Sequence, residues 1–199
     1  LPVVDDEEKL LGIVTVSDII QNYIDVWDNT ILGKSETTID NIIDTLSATP
    51  INISKNNRAF LGKISILAMD INSIKDNDYE NDIIICGNRK DVQEFAINSN
   101  ISLMIIVGNG SLDEDLLNMA YDKDITIIST PYDTFMCSRL ITQSAPIKYS
   151  MTTENIIKFS LDELVDDVRV QMSQTRYRGY PVVDDNNKVV GLLSRYHLI

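Results

Sequence analysis

The sequence has few of the residues from which catalytic and metal sites are usually built. It contains one histidine, His197, and two cysteines, Cys86 and Cys137, with no Cys-x-x-Cys or Cys/His spacing. A zinc site needs several such ligands, and a general base needs a partner that orients it. We therefore interpret the cysteines as reduced packing residues and predict no catalytic residue and no metal ligand in this chain.

Long apolar runs and an excess of basic residues are also missing. No apolar run reaches the ~20 residues of a membrane span, and no signal peptide is recognisable, so we expect a cytoplasmic protein with no membrane partner. The chain has 17 Lys and Arg against 30 Asp and Glu, a net charge of −13. This balance argues against a nucleic acid partner, because binding to phosphates needs basic side chains. The 199 residues suffice for one or two globular domains.

An internal repeat joins the two ends of the sequence. Residues 1–20 align without a gap on residues 180–199, and eight of the positions are identical. Background composition would give about one or two identities. Each copy contains a β-branched run, a polar turn and a second apolar run, which together predict a hairpin followed by a helix.

A further strand and helix are predicted before the second copy. Residues 155–159 are typical of a short strand, and Ser160 with Glu163 has the spacing of a capping box that would begin a helix reaching about Gln174. The full motif is therefore strand, helix, strand, strand, helix. In the first copy the opening strand and helix are absent from the sequence.

The middle of the chain has a different pattern. Residues 28–46 are typical of a helix-rich connection, and four continuous apolar runs follow at 64–68, 82–87, 103–108 and 125–129. Such runs suit strands buried on both faces, and helices predicted at about 89–98, 112–121 and 133–141 separate the later ones. We predict an α/β fold with a mainly parallel sheet in this region.

The two copies resemble cystathionine β-synthase (CBS) motifs, whose pairs form nucleotide-binding regulatory modules. The family hallmark, Gly-apolar-apolar-Thr/Ser-x-x-Asp, is matched throughout by residues 12–18. Residues 191–197 match it up to the last position, where His197 replaces the usual Asp. That departure weakens the expectation of ordinary ribose recognition in the second copy.

The middle region is similar to the DRTGG domain, through residues 86–93, 106–110 and 129–135. A CBS motif pair interrupted by a DRTGG domain resembles the regulatory region of manganese-dependent family II inorganic pyrophosphatases. The resemblance implies four parts: the second half of a first CBS motif (1–27), a helical linker (28–48), a DRTGG-like α/β domain (49–147) and a second CBS motif (148–199). It also implies a homodimer, and Mn²⁺ bound in covalently attached catalytic domains that this sequence does not contain.

The first copy supplies candidate ligands for a nucleotide. Thr15 and Ser17 precede or begin a helix, where hydroxyls, backbone N–H groups and the helix dipole favour a phosphate. Asp18 can accept hydrogen bonds from both ribose hydroxyls. From spacing alone, Ser17 and Asp18 fit the N-cap of that helix equally well.

The second copy supplies the other candidates. Ser194 and Arg195 repeat the phosphate-binding position, with His197 beside them. Thr152 and Thr153 precede the short strand whose backbone, by resemblance, would contact the adenine edge. The segment Arg176, Tyr177, Arg178, Gly179 and Tyr180 places guanidinium groups for phosphate beside rings that can stack on a base. The alternative is a solvated helix C-terminus with cations placed against the dipole.

The resemblance implies an allosteric region that binds an adenine nucleotide and has no cofactor of its own. AMP or ADP would inhibit the attached pyrophosphatase, and ATP or a diadenosine polyphosphate such as diadenosine tetraphosphate would activate it. The alternative is a structural dimerisation module with a degenerate ligand site, which the departure at His197 favours. A stand-alone enzyme is a third, weaker hypothesis.

Overall fold

A computed structural model gives the fold, and it describes residues 1–24, 28–56, 59–175 and 177–197. The chain folds into two compact units, one formed by Leu1–Asn22 together with Ile147–Ile199 and the other by Tyr23–Pro146. The domain boundaries that the sequence suggests stay predictions. Among the described residues, none of the helices has the length and apolar character that crossing a bilayer requires.

The unit built from the chain ends contains the two predicted hairpins. Its elements are β1 (Pro2–Val4), β2 (Leu10–Ile13), α1 (Val16–Ile24), β8 (Phe159–Ser160), α8 (Val165–Ser173), β9 (Gly179–Val183), β10 (Val189–Ser194) and 3₁₀ turns at Ile147–Tyr149 and Arg195–His197. β1 pairs antiparallel with β2, and β9 pairs antiparallel with β10 and parallel with β8. Both hairpin turns use the same contact, since the carboxylates of Asp5 and Asp184 each accept two backbone N–H groups of their own turn.

The two repeat copies meet at their hairpin tips. The backbone N–H of Leu10 donates to the carbonyl of Asn187, and that of Val189 donates to the carbonyl of Glu8, both at 3.0 Å. Leu10 and Ile13 are buried in the same apolar cluster as Val183. Segments that lie more than 170 positions apart in the sequence therefore share backbone hydrogen bonds and a core.

The middle unit is an α/β sandwich around a five-stranded sheet. Its strands are β3 (Thr49–Asn52), β4 (Ile64–Ile66), β5 (Ile83–Cys86), β6 (Leu103–Ile106) and β7 (Thr126–Ser129), in the order β3-β7-β6-β5-β4. Its helices are α2 (Ile31–Lys34), α3 (Ile39–Leu46), α4 (Ile71–Ile74), α5 (Lys90–Asn98), α6 (Glu114–Asp122) and α7 (Thr134–Leu140), with a 3₁₀ turn at Ile141–Ser144. β4 to β7 are parallel, and β3 pairs antiparallel with β7 at the edge. The mainly parallel α/β sheet predicted from the sequence is confirmed.

Alternate residues of the central strands enter two separate cores. Ile84 and Met104 belong to the cluster that contains the buried residues of α5 and α6, whereas Ile83 and Leu103 belong to the cluster that contains those of α3 and α7. Successive side chains of a strand point to opposite faces, so helices on both faces require strands that are apolar at every position.

Two expectations about local structure are wrong. The strand predicted at 155–159 is the two-residue β8, and α8 begins at Val165 rather than directly after Ser160. The Glu163 carboxylate does accept the N–H of Ser160 at 3.0 Å, but this bond closes a turn. The helix begins where Asp166 and Asp167 occupy its first turn, since carboxylates there interact favourably with the dipole.

The two cysteines are free and buried, as packing residues should be. Burial raises the thiol pKa of Cys86 to about 12, and burial together with the nearby Asp133 raises that of Cys137 to about 12. Because the thiolate is the reactive form, both side chains are chemically inert in the folded protein.

Asp28 gives the middle unit a pH-dependent contribution to stability. Its carboxylate accepts hydrogen bonds from the Lys34 ammonium at 2.6 Å and from the hydroxyl and N–H of Thr30, which lower its pKa from 3.8 to about 2. A group whose pKa is depressed by folding contributes stability above its unfolded pKa, and that contribution is lost as the pH falls towards the folded value. We expect acid unfolding between about pH 4 and pH 2 to be less steep in Asp28→Asn and in Lys34→Gln than in the unaltered chain. Identical pH profiles, measured by circular dichroism, would contradict this role.

Candidate functional site

A cavity of about 660 Å³ opens in the unit that the chain ends form. This volume lies in the range of small-molecule sites, about 300–1,000 Å³. Both repeat copies contribute to its wall. The first copy provides Leu1, Pro2, Ile13, Val14, Thr15, Val16, Ser17 and Ile19, and the second copy and the residues just before it provide Tyr177, Arg178, Gly179, Pro181 and Leu192.

Equivalent positions of the two repeat copies line the cavity. Pro2 of the first copy corresponds to Pro181 of the second, and Ile13 corresponds to Leu192; all four residues line the cavity. The apolar part of the wall is therefore built from both copies of one motif. The polar groups are distributed unequally. The aliphatic hydroxyls, of Thr15 and Ser17, come from the first copy, and the guanidinium, of Arg178, comes from the segment before the second copy.

Thr15, not Ser17 or Asp18, is the cap of α1. The Asp18 carboxylate accepts hydrogen bonds from the N–H of Thr15 at 2.7 Å and from its hydroxyl at 2.8 Å, and the Thr15 hydroxyl accepts the N–H of Asp18 at 3.3 Å. This reciprocal arrangement has the logic of a capping box, with Asp18 three residues after the cap. It directs the first turn of α1, with Ser17 exposed, towards the cavity.

Tyr177 and Arg178 also line the cavity. The ring of Tyr177 packs edge-on against that of Tyr180 with centroids 6.2 Å apart, and the buried Tyr180 hydroxyl donates to the Tyr177 carbonyl at 3.0 Å. Arg178 is exposed and directly precedes β9. Among the residues that line the cavity, Arg178 is the one with a charged side chain. A ring that can stack and a guanidinium therefore line the same cavity as Thr15 and Ser17.

Several predicted ligands do not line the cavity. Thr152 pairs through its backbone with Ile13, and Thr153 is exposed. Tyr180 is a core residue, packed against Phe159 at a centroid distance of 5.4 Å. Asp18 is not among the lining residues, but its carboxylate is bonded to Thr15, which is, and Ser194 is paired with Gly179.

The structure gives Arg195 a different place from the expected phosphate position. Its guanidinium donates to the carbonyls of Met172 and Thr175, at the C-terminal end of α8. Arg176 and the side chain of His197 lie outside the described residues.

The apolar lining residues Leu1, Pro2, Ile13, Val14, Val16, Ile19, Pro181 and Leu192 were missed from the sequence. They look like ordinary strand and helix residues, because burial in a core and exposure to a ligand both select apolar side chains. The repeat alignment could have predicted some of these residues, because a cavity between two related motifs is lined by equivalent positions of both.

The described residues contain no group of three or more His, Cys, Asp or Glu side chains that could hold a metal ion. The cavity wall contains groups that can bind a small molecule: hydroxyls at a helix N-terminus, one guanidinium, one aromatic ring and apolar side chains around them.

Comparisons with known proteins divide the chain into two kinds of domain. The profile of the DRTGG domain matches residues 41–144, and that of the CBS domain matches residues 1–25 and 147–199. The cavity lies within the part matched by the CBS profile.

Two curated relatives align over the whole chain. The chain is 46% identical over 199 residues to the "Cobalt-dependent inorganic pyrophosphatase" of Clostridium perfringens. It is 23% identical over 199 residues to the "Probable manganese-dependent inorganic pyrophosphatase" of Thermotoga maritima. It covers 36% of each relative, so it spans about a third of their length.

A solved structure has the same fold. It is the crystal structure of the CBS and DRTGG domains of the regulatory region of Clostridium perfringens pyrophosphatase, complexed with the activator diadenosine tetraphosphate. The two chains are 45% identical with a TM-score of 0.92, and the match covers 98% of this chain and 85% of the other.

Proposed function

Because this chain belongs to the DRTGG domain family and also contains a CBS domain, we propose that it is the adenine-nucleotide-binding regulatory region of an inorganic pyrophosphatase. The membership confirms the CBS and DRTGG domains that the sequence suggested. The similarity to a structure described as a regulatory region supports the proposal that this chain is regulatory. One observation supports the proposal: Arg178 and Tyr177 line the same cavity as Thr15 and Ser17, so groups suited to a phosphate and a base come together in one site.

Each part of a nucleotide has a proposed partner. The phosphate would lie between the Arg178 guanidinium and the N-terminus of α1, where Thr15 and Ser17 add hydroxyl donors. The base would stack on Tyr177 against the apolar wall. The ribose would approach Asp18, whose carboxylate is held by Thr15 and can accept further hydrogen bonds.

Regulation would follow from unequal binding to two arrangements of the protein, since a ligand shifts an equilibrium only by its difference in affinity between states. In this proposal AMP and ADP stabilise an inhibited arrangement, whereas ATP and diadenosine polyphosphates stabilise an active one. The Clostridium perfringens structure contains diadenosine tetraphosphate, described as an activator. In a two-fold homodimer, a ligand with an adenosine at each end would join two cavities.

The catalytic part would be covalently attached and would bind the metal. Cobalt and manganese appear in the names of the two relatives, and Mn²⁺ stays our prediction for this protein. A cytoplasmic location likewise stays a prediction.

Calorimetry with AMP tests the proposal on this chain, and Asp18→Asn separates the two hypotheses about that residue. If the carboxylate binds the ribose, the unaltered chain should bind AMP more tightly than 2′-deoxy-AMP. Asp18→Asn should then weaken AMP binding by about tenfold, because hydrogen bonds to charged groups contribute about 1.5–3 kcal/mol. The variant should also lose the preference for AMP over 2′-deoxy-AMP. If Asp18 only supports the Thr15 cap of α1, AMP affinity in the variant is unchanged. Absence of heat and of any thermal shift with AMP, ATP and diadenosine tetraphosphate would favour the structural dimerisation module instead.

A further inference from the structure

The two repeat copies use one motif position in different ways. Val16 follows Thr15 in the first copy; it lines the cavity and is 72% exposed. Its equivalent in the second copy is Arg195, which follows Ser194 and does not line the cavity. At this position the first copy has a side chain that lines the cavity, Val16, whereas the second copy has one that bonds to backbone carbonyls, Arg195.

That contact is made with the end of α8. The Arg195 guanidinium donates to the Met172 carbonyl at 2.6 Å and also to the Thr175 carbonyl. The last carbonyls of a helix receive no hydrogen bond from an N–H group of the same helix, and they form the negative end of its dipole. A cation placed there is therefore stabilising. Arg195 thereby ties α8, where the chain leaves the helix, to the end of β10.

The tied segment leads directly into the wall of the cavity. Thr175 is two residues before Tyr177, and the backbone N–H of Arg195 donates to the carbonyl of Arg178 at 3.1 Å. Tyr180 makes further contacts with this segment. Its buried hydroxyl is hydrogen-bonded to both the Thr175 hydroxyl and the Tyr177 carbonyl. The described residues on either side of position 176 are therefore held by hydrogen bonds from Tyr180 in β9 and from Arg195 directly after β10.

We propose that Arg195 is a positioning residue for nucleotide binding: it fixes the segment 172–178 so that Tyr177 and Arg178 face Thr15 and Ser17 before any ligand arrives. This inference rests on the proposed function. A site whose competent arrangement is only partly populated binds with an apparent affinity reduced by that fraction. Without Arg195 the segment would sample other arrangements, and each ligand would first have to order it.

The test is a double-mutant cycle on AMP affinity, measured by calorimetry on the whole chain. Arg195→Ala should raise the Kd for AMP by about tenfold, as expected if roughly a tenth of the molecules keep the competent arrangement. Arg178→Ala should then cost much less in the Arg195→Ala background than in the unaltered chain, because molecules in which the segment is displaced bind AMP weakly without Arg178 and lose nothing when it is removed. Arg195→Lys, which keeps a cation and can reach one carbonyl, should recover part of the affinity. The matched control is Arg169→Ala, an exposed arginine on α8 that is absent from the cavity wall.

The outcomes separate the two proposals. If the unaltered chain binds no AMP, the proposed function is overturned, and the positioning role falls with it. If the unaltered chain binds AMP but Arg195→Ala binds it equally, or the cycle is additive, the positioning role alone is overturned. Amide hydrogen exchange gives a second readout without ligand: residues 172–178 should exchange faster in Arg195→Ala, and unchanged exchange there would also overturn it. If Arg195→Ala does not fold, the same cycle and exchange measurements with Arg195→Lys decide the matter.

Discussion

Replacing Arg178 with alanine is expected to weaken AMP binding by about 10- to 100-fold, with little change in the stability of the free protein. Arg178 has the one charged side chain on the described cavity wall, and its exposed position means that folding depends little on it. A charge-assisted hydrogen bond to an anion contributes about 1.5–3 kcal/mol, which corresponds to this change in Kd. Calorimetric titration with AMP, together with a melting curve of the free variant, measures both quantities.

Two further variants define what the arginine contributes. Arg178→Lys keeps the charge but not the planar pair of donors, so a bidentate contact with phosphate predicts an intermediate affinity. Arg169→Ala removes an exposed arginine from α8 and should leave the AMP affinity unchanged. Equal losses in Arg178→Ala and Arg169→Ala would mean that only the net charge of this acidic protein is being measured.

Replacing Gly12 with alanine is expected to destabilise the unit formed by the chain ends by about 1–3 kcal/mol, the usual cost of overpacking. A Cβ at this position would lie 2.7 Å from the Met151 sulfur and 3.0 Å from the Thr152 carbonyl oxygen. Met151 can move aside, but the Thr152 carbonyl accepts the N–H of Ile13 and holds the two segments together. Urea denaturation followed by circular dichroism measures the loss.

The repeat provides a matched control for this variant. Gly191 is the equivalent residue of the second copy, and a Cβ there would find Val182 at an ordinary 3.8 Å. Gly191→Ala should therefore leave stability nearly unchanged, or raise it slightly, because alanine restricts the unfolded chain. Equal destabilisation by both substitutions would show that the close approach of Met151 and Thr152 to Gly12 is not its cause.

The sequence predicted the architecture well because its strongest signals were global. Eight identities between the chain ends identify a repeat, and such copies were expected to associate; the bonds from Leu10 to Asn187 and from Val189 to Glu8 show that they do. The continuous apolar runs predicted a sheet covered on both faces, because a strand with one solvent face alternates with polar residues. Both signals depend on many residues at once.

Local signals were less reliable where two physical explanations use the same residues. Ser160 and Glu163 have the spacing of a helix cap, yet their bond closes a turn and the helix begins at Val165. β3 was missed because Thr49–Asn52 is short and contains Pro50, which only an edge strand tolerates.

The role of the predicted site residues in binding stays a prediction. Of the residues that the resemblance suggested, Thr15, Ser17, Tyr177, Arg178 and Gly179 line the cavity. Arg195 follows a hydroxyl residue just as Val16 does, but its acceptors lie 20 and 23 residues away in the sequence. Only the folded backbone shows that it holds the end of a helix.

Crystallisation of this chain with AMP tests the central claim most directly. We predict electron density for one nucleotide between the two repeat copies, with its phosphate within hydrogen-bond distance of Arg178 and the N-terminus of α1 and its adenine against Tyr177. A well-ordered crystal grown at saturating AMP with this cavity filled only by solvent, or with the nucleotide bound elsewhere, would contradict the account.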